Sequence, residues 1–385
     1  MEFLNKLRAF KNRFSHYSPL VEVGISRANL LHNLHTYQES YPNLKFAPVL
    51  KSNAYGHDLG LVARLLDKED IAFFMVDSFY EARRLRGAGV RSRILVMGYV
   101  RPEDIVRTSV TNVDFAITDL TQLKEVSTLL THPTRIHLKL DTGMHRQGIT
   151  PEDLAEAISL IKQNSNLELV GICSHFADAD TDNSPHARMQ VKRFQEASLV
   201  LSEAFPHIEY KHLAATKGVR YAEEAGTNVA RPGIGLYGFD TSPSHSTPLK
   251  PVLELRAIIG SVRTVSPGET VGYNATHEVT KESRIATIPA GYFEGVDRRL
   301  SGKGVVLVRG VVCPIVGRVS MNMISVDVTG VPEAAPGDSV VLISRNPEDL
   351  NSIPHIAEAV STPEYRESEY VLLTHIPQHL RRVAE

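Results

Sequence analysis

Hydrophobic and polar positions follow two successive regimes along the chain. From residue 45, short apolar runs of strand length alternate with longer stretches whose apolar residues recur at helical spacing. KFAPVLK, IAFFMV, SRILVMG, DFAIT, RIHLKLD, LELVGICSH, IEYKHLA and TNVARP read as strands. Between them LGLVARLL, FYEARRLRGAG, PEDLAEAISLIKQ and ARMQVKRFQEASLVLSEAF read as helices. Eight such units over about two hundred residues predict an α/β fold, a (β/α)8 TIM-type barrel spanning 21–250. A doubly wound sheet is the alternative.

After residue 250 the helical spacing stops. VLELRAIIGSVRTV, SRIATIPA, GVVLVRGVVCPIVG, ISVDVTG and SVVLIS are strand-like, separated by turns containing Gly and Pro, with one short helical stretch, IPHIAEAV. This predicts a mostly β C-terminal domain over 251–385, entered through the stretch SPSHSTPLKP. The first 20 residues form an amphipathic extension, with Phe3, Leu4, Leu7, Phe10 and Phe14 in one stripe and Lys6, Arg8, Lys11 and Arg13 mostly elsewhere. A helix docked on the fold or on a partner subunit explains that stripe better than a membrane-surface anchor.

Charge and cysteine usage narrow the partners. In 385 residues, 42 Lys and Arg stand against 44 Asp and Glu, a formal net charge of −2. Such a balance gives no bulk attraction to nucleic acid or to a membrane surface. Cys173 and Cys313 each sit inside an apolar run and read as core thiols of a reducing compartment, and no His or Cys spacing suggests a metal site. No stretch approaches the roughly 20 apolar residues of a membrane span, and no signal-peptide pattern opens the chain, so the expected location is the cytoplasm.

In a barrel of this type the reactive groups stand at the C-terminal ends of strands. That rule selects Lys51, Lys139 with Asp141 and Arg146, Ser174 with His175, His212 with Thr216, and Arg231 with the glycines after it. In RPGIGLYG, Gly233, Gly235 and Gly238 have GxGxxG spacing, but this motif closes the last βα unit, whereas a dinucleotide fingerprint opens the first. The loop after the last barrel strands commonly holds a phosphate, although tight packing alone would also call for glycines. Lys51 ends the apolar run FAPVL and opens the polar turn SNAYGHD. Taking an ammonium out of water favours its neutral, nucleophilic form, which can condense with a carbonyl. A lysine of that kind beside a phosphate loop suggests pyridoxal phosphate, while a snorkelling or ion-paired lysine is the plainer reading of the residue by itself.

The segment VLKSNAYGHDL resembles the cofactor-lysine motif of bacterial alanine racemases, pyridoxal phosphate-dependent barrel enzymes. LKLDTGMHRQGI, SHFADAD, HLAAT, NVARPGIGLYG, VGYNATH, IPAGYFEG and PIVGRVSMN are similar to that family's segments, in its order and approximate spacing, over almost the whole chain after residue 20. The resemblance implies a homodimer that interconverts L-alanine and D-alanine, supplying D-alanine for peptidoglycan. Lys51 would hold the cofactor covalently and act as one catalytic base. Tyr273 would be the other, reaching the active site of the partner subunit. Tyr55, Thr216, Gly233 and Ile234 would hold the phosphate, and Arg231 would face the pyridine nitrogen with His175 in its hydrogen-bond network. Arg146 and the backbone of Met321 would bind the substrate carboxylate, with Asn322 beside them and Tyr292 near the entrance. Lys139 matches a lysine that can be carbamylated.

Those roles are chemically coherent. Racemisation removes a proton from one face of the α-carbon and returns one to the other, which calls for two bases. Arginine does not readily give up its proton, so a pyridine nitrogen facing it stays largely unprotonated. The chain also departs from the family pattern. Ala215 stands where the family usually has Asn, Asn322 where Asp is common, His145 where Gly is frequent, and Gln378 or Pro377 at the position expected for a pocket tyrosine. These departures motivate a serine or broad-specificity racemase as an alternative. A barrel decarboxylase would want an acidic partner for the pyridine nitrogen, which Arg231 opposes. A non-catalytic cofactor-binding relative would need no Tyr273.

Overall fold

The computed structural model describes residues 18–239, 248–363, 365 and 367–385. The N-terminal stripe and residues 240–247 of the Pro- and Ser-rich stretch lie outside the described residues. Strand β1 (Val21–Ile25) precedes eight short strands: β2 (Lys45–Phe46), β3 (Phe74–Val76), β4 (Ile94–Val96), β5 (Val113–Ile117), β6 (Thr134–Lys139), β7 (Leu167–Cys173), β8 (Tyr210–His212) and β9 (Val229–Ala230). β3 to β8 pair in chain order as one parallel sheet, and β2 pairs in parallel with β9.

Two seams join these sheets. Parallel bridges connect Val49 with Met75 and Ala215 with Arg231. At the first seam the Leu50 N–H donates to the Met75 carbonyl at 2.7 Å, and the Met75 N–H to the Pro48 carbonyl at 2.9 Å. At the second the Arg231 N–H donates to the Ala214 carbonyl at 3.0 Å. The ring of eight strands is therefore closed, as the alternation of segments predicted, and the doubly wound alternative falls. Each predicted strand segment overlaps one of the eight. The strands are shorter than the apolar runs because residues such as Val49 and Leu50 are buried in a seam rather than in a continuous ladder.

Helices follow the strands, and their first turns are set by short polar side chains. Asp58, Ser78, Asp119 and Ser184 each accept a hydrogen bond from the backbone N–H three residues on. Helix Leu59–Leu66 coincides with the predicted LGLVARLL and buries Leu59, Val62, Ala63 and Leu66. Ala47, Phe73, Leu95, Met97, Ala116, Cys173 and Val229 form one buried cluster. Phe73 also contacts two fully buried imidazoles, those of His137 and His212, with ring centroids 5.5 and 5.7 Å away. Ser368–Gln378, containing helix Glu369–Thr374, groups with this barrel unit.

The other compact unit holds Glu254–Glu367, His379–Val383 and the described residues up to Gly24. Its sheet is built from β10 (Leu253–Ile258), β11 (Ser261–Val265), β14 (Ser283–Ile288), β15 (Val305–Val308), β16 (Val311–Val316), β17 (Ile324–Asp327), β18 (Ser339–Ile343) and β19 (Arg381–Ala384), together with β1. The order is β11-β14-β17-β16-β15-β18-β10-β1-β19. A separate hairpin pairs β12 (Thr270–Val271) with β13 (His277–Glu278). Helix Ile353–Val360 coincides with the predicted IPHIAEAV.

The Tyr237 hydroxyl donates to the Val49 carbonyl at 2.9 Å, fully buried, beside the seam between β2 and β3. Tyr237→Phe leaves that carbonyl without this partner, so the denaturant midpoint should fall by the equivalent of about 1–2 kcal/mol at unchanged slope. An unchanged midpoint would show that the seam does not depend on this bond.

Candidate active site

Lys51 stands where the β2 strand direction ends, and the chain then turns in an unusual way. Ser52, Asn53, Ala54 and Tyr55 all have positive φ, between +51° and +56°. For residues with a Cβ that region is unfavourable by roughly 1–2 kcal/mol each. Tertiary bonds hold it: the Asn53 side chain accepts from the Leu59 N–H at 3.0 Å, its carbonyl from the Asp58 N–H at 3.1 Å, and Glu81 Oε1 from the Asn53 N–H at 3.3 Å. The turn brings the Tyr55 hydroxyl onto Gly233, where a Cβ would lie 2.8 Å from it. Thr216 Oγ1 accepts from the N–H groups of Gly233 and Gly235 at 3.0 and 3.2 Å. Ile234, directly after Gly233, opens the short turn Ile234–Tyr237.

Lys51 lines a cavity of about 430 Å³ together with Lys139, Arg146, His175 and Arg231. Asp77 is the carboxylate among its lining residues. Four cationic side chains around one acidic group make the cavity a trap for a small anion. Arg231 is the centre of the arrangement and is fully buried. Its Nη1 donates to His212 Nδ1 at 2.9 Å and to the His212 carbonyl at 2.8 Å. Its Nη2 donates to the Ser174 and Leu213 carbonyls at 2.9 and 3.0 Å and to His175 Nδ1 at 3.0 Å. Its Nε is buried with no partner among the described residues.

Burial pulls the Arg231 pKa down to about 10, still far enough above neutral to keep the guanidinium charged. Burial, then the charge of Arg231, pushes His175 down to about 3, so its imidazole is neutral with Nδ1 as acceptor. Burial, then Arg231, also holds His212 well below the ordinary histidine range. Lys139 is pulled down chiefly by burial, with Arg146 and Arg231 adding to the effect. Its Nζ donates to Gln147 Oε1 at 2.8 Å, an amide rather than a carboxylate. His145 has φ +53°, and its N–H donates to Asp141 Oδ1 at 3.0 Å. The positive φ explains why glycine suits that position.

Tyr273, Tyr292, Met321 and Asn322 belong to the β unit. Tyr273 opens the turn Tyr273–Ala275 between β12 and β13 and is 69% exposed. The loops carrying Tyr292 and Met321 are bonded to each other, with the Tyr292 N–H donating to the Ser320 carbonyl at 3.0 Å and the Phe293 N–H to the Met321 carbonyl at 2.9 Å. Asn322 Nδ2 donates to Glu294 Oε1 at 2.8 Å on the same loops. Gln378 lines a polar cavity of about 270 Å³ with Asn53, Asp77, Glu81 and Arg84. Sequence reasoning missed Asp77 and His137. Period-two alternation places His137 on the same strand face as Lys139, which was the available signal.

The family model "Alanine racemase, N-terminal domain" matches residues 25–241, and "Alanine racemase, C-terminal domain" matches residues 252–384. The chain belongs to the alanine racemase family. An alanine racemase of Syntrophobacter fumaroxidans is 36% identical over 349 residues, covering 89% of this chain and 93% of its own. One of Carboxydothermus hydrogenoformans is 33% identical, covering 93% and 98%. Among solved structures, the alanine racemase of Bacillus anthracis with bound L-Ala-P superposes with a TM-score of 0.85 at 28% identity, covering 96% of each chain.

Alanine racemases are pyridoxal phosphate-dependent, and the residues here fit that cofactor. The partnerless Arg231 Nε suits a ring-nitrogen acceptor, the Tyr55 and Thr216 hydroxyls beside the turn that Gly233 and Ile234 open suit a phosphate, and Lys51 suits the carbonyl.

His137 and His212 are fully buried, and burial lowers the pKa of both. The unfolded chain binds their protons near pH 6.5 while the folded chain does not, so stability falls as pH drops below that value. The slope is up to about 1.4 kcal/mol per pH unit for each imidazole. Thermal unfolding midpoints should therefore drop between pH 7 and pH 5; a flat profile would show that these rings take up protons in the fold.

Proposed function

We propose that this protein is a homodimeric, cytoplasmic racemase that interconverts L-alanine and D-alanine with pyridoxal phosphate, supplying D-alanine for peptidoglycan, with Lys51 and Tyr273 as the two bases. The observation that carries the reading is the buried Arg231 Nε without a partner beside Lys51. When bound, the cofactor supplies an electron sink that makes the α-proton of the amino acid removable. Lys51 Nζ takes or returns that proton on one face. The Tyr273 hydroxyl does so on the other, in the active site of the partner subunit. Its exposure supports a role outside its own unit.

Arg231 meets the ring nitrogen as a donor, and at a pKa of about 10 it keeps its own proton. The sink is thereby moderated, which favours reprotonation over side reactions. Neutral His175 braces Arg231 through Nδ1. Tyr55, Thr216, Gly233 and Ile234 hold the phosphate. Arg146 and the backbone N–H of Met321 receive the substrate carboxylate, with Asn322 beside them and Tyr292 near the entrance. Lys139, with its lowered pKa, is able to react with carbon dioxide, and the resulting carbamate would orient Arg146.

A second reading keeps the mechanism and widens the substrate. The polar cavity lined by Gln378 shares Asp77 with the Lys51 cavity, which favours a larger or more polar side chain than a methyl group.

Chiral chromatography of a panel of L-amino acids, incubated with the protein and added pyridoxal phosphate, decides between these readings. Alanine leading supports the first and serine or a basic amino acid the second; no racemisation sinks both. Lys51→Ala should lose the visible absorbance of the loaded protein and at least about 10³-fold in rate. Tyr273→Phe should keep the absorbance and lose α-proton exchange in D₂O far more for one enantiomer than for the other. Equal loss for both would count against two bases.

A further inference from the structure

Buried polar groups continue from Arg231 through the barrel interior, away from the candidate site. His212 Nε2 lies 2.8 Å from His137 Nδ1. His137 Nε2 lies 3.4 Å from Asp114 Oδ2, close enough for an ion pair but without hydrogen-bond geometry, and has no hydrogen-bond partner among the described residues. Asp114, near the start of β5, is fully buried; Arg93 donates to its Oδ1 at 2.7 Å and Arg135 at 3.2 Å. Arg135 in turn holds Glu209 through both terminal nitrogens at 3.1 Å. Burial alone would raise the Asp114 pKa, but His137, Arg93 and Arg135 hold it below the usual carboxylate value. None of these groups beyond Arg231 touches the Lys51 cavity.

We propose that Asp114 is a positioning residue for Arg231, acting through His137 and His212 to fix the direction of the hydrogen bonds that end on the guanidinium. The proposal rests on the reading of Arg231 as the partner of the cofactor's ring nitrogen. The direction follows from donor and acceptor chemistry. A guanidinium only donates, so His212 Nδ1 must accept from Nη1. Neutral His212 then carries its proton on Nε2 and donates to His137 Nδ1. Neutral His137 consequently carries its proton on Nε2, facing a carboxylate that can only accept. Every proton in the row points toward Asp114, so the guanidinium at one end and the buried carboxylate at the other call for the same two imidazole tautomers.

The surroundings are shaped for this row. A Cβ at Gly171 would stand 2.3 Å from His137 Nδ1, so only glycine leaves the ring its place. The β6–β7 pairing shifts register between Ile136 and His137, opposite that glycine. Tyr210 stacks on the imidazole at 5.6 Å with an interplanar angle of 11°, and Phe73 meets it edge-on at 5.5 Å.

Asp114→Asn tests the direction. Arg93 and Arg135 claim the amide oxygen, which turns the NH₂ toward His137 and asks the row to reverse. His212 would then present an N–H to the Arg231 N–H, and the guanidinium must shift. In the wild type with ¹⁵N-labelled histidine, NMR should find the Nε2–H tautomer on both His137 and His212; an Nδ1–H tautomer on either overturns the proposal without any variant. In Asp114→Asn loaded with pyridoxal phosphate labelled with ¹⁵N in the ring, the ring resonance should move and the cofactor Kd should rise about tenfold. In a His212→Asn background, where the amide oxygen accepts directly from Arg231, Asp114→Asn should add nothing further. An unchanged resonance and Kd in Asp114→Asn, or equal losses in both backgrounds, overturns the proposal. Arg231→Leu separates it from the reading beneath it. If that variant leaves the ring resonance unmoved, the assignment of Arg231 to the ring nitrogen fails; if it moves the resonance and Asp114→Asn does not, only the present proposal fails.

Discussion

A guanidinium sealed inside a barrel without a carboxylate against it is the constraint around which the candidate site is organised. Among the described residues no acidic side chain lies within ion-pair distance of Arg231, and removing a cation from water is expensive unless its donors are satisfied. Carbonyls of Ser174, His212 and Leu213 and the imidazoles of His175 and His212 satisfy all but one. These acceptors come from the ends of β7 and β8, and the arginine itself sits on the β8–β9 seam. Closing the barrel and building the site are therefore one event. The donor left over, Nε, is the one that the proposed function assigns to the cofactor's ring nitrogen.

The same interior explains why the neighbouring histidines are neutral. A charged arginine repels a second cation, and burial acts in the same direction, so His175 and His212 serve as acceptors and cannot act as acids near neutral pH. On the Lys51 side the fold tolerates four successive residues at positive φ, which persist because Asn53, Asp58 and Glu81 over-determine the turn. The strain lies next to the lysine, and its effect is to return Tyr55 to Gly233.

Much of this was readable in the chain, for physical reasons that differ by residue. The barrel was legible because eight apolar runs alternate with helical spacing, and Lys51 was legible because an apolar run stops on it. The rule that reactive groups stand at strand ends found Lys139, His175, Thr216 and Arg231. It passed over His137 and Asp114, which lie within strands, where side chains usually serve packing. The left-handed turn was hidden because Ser52, Ala54 and Tyr55 are not residue types that favour it. Helix Glu369–Thr374 is too short for a period of 3.6 to register. Tyr273, Tyr292 and Met321 carry no pattern of their own; only the family resemblance singles them out.

A crystal structure of the protein loaded with pyridoxal phosphate is the most direct test. The account predicts Arg231 Nε within about 2.7–3.2 Å of the ring nitrogen, with its Nη contacts to His175, His212 and the three carbonyls retained. A ring nitrogen facing a carboxylate, or an Arg231 Nε turned to a protein acceptor, would contradict it.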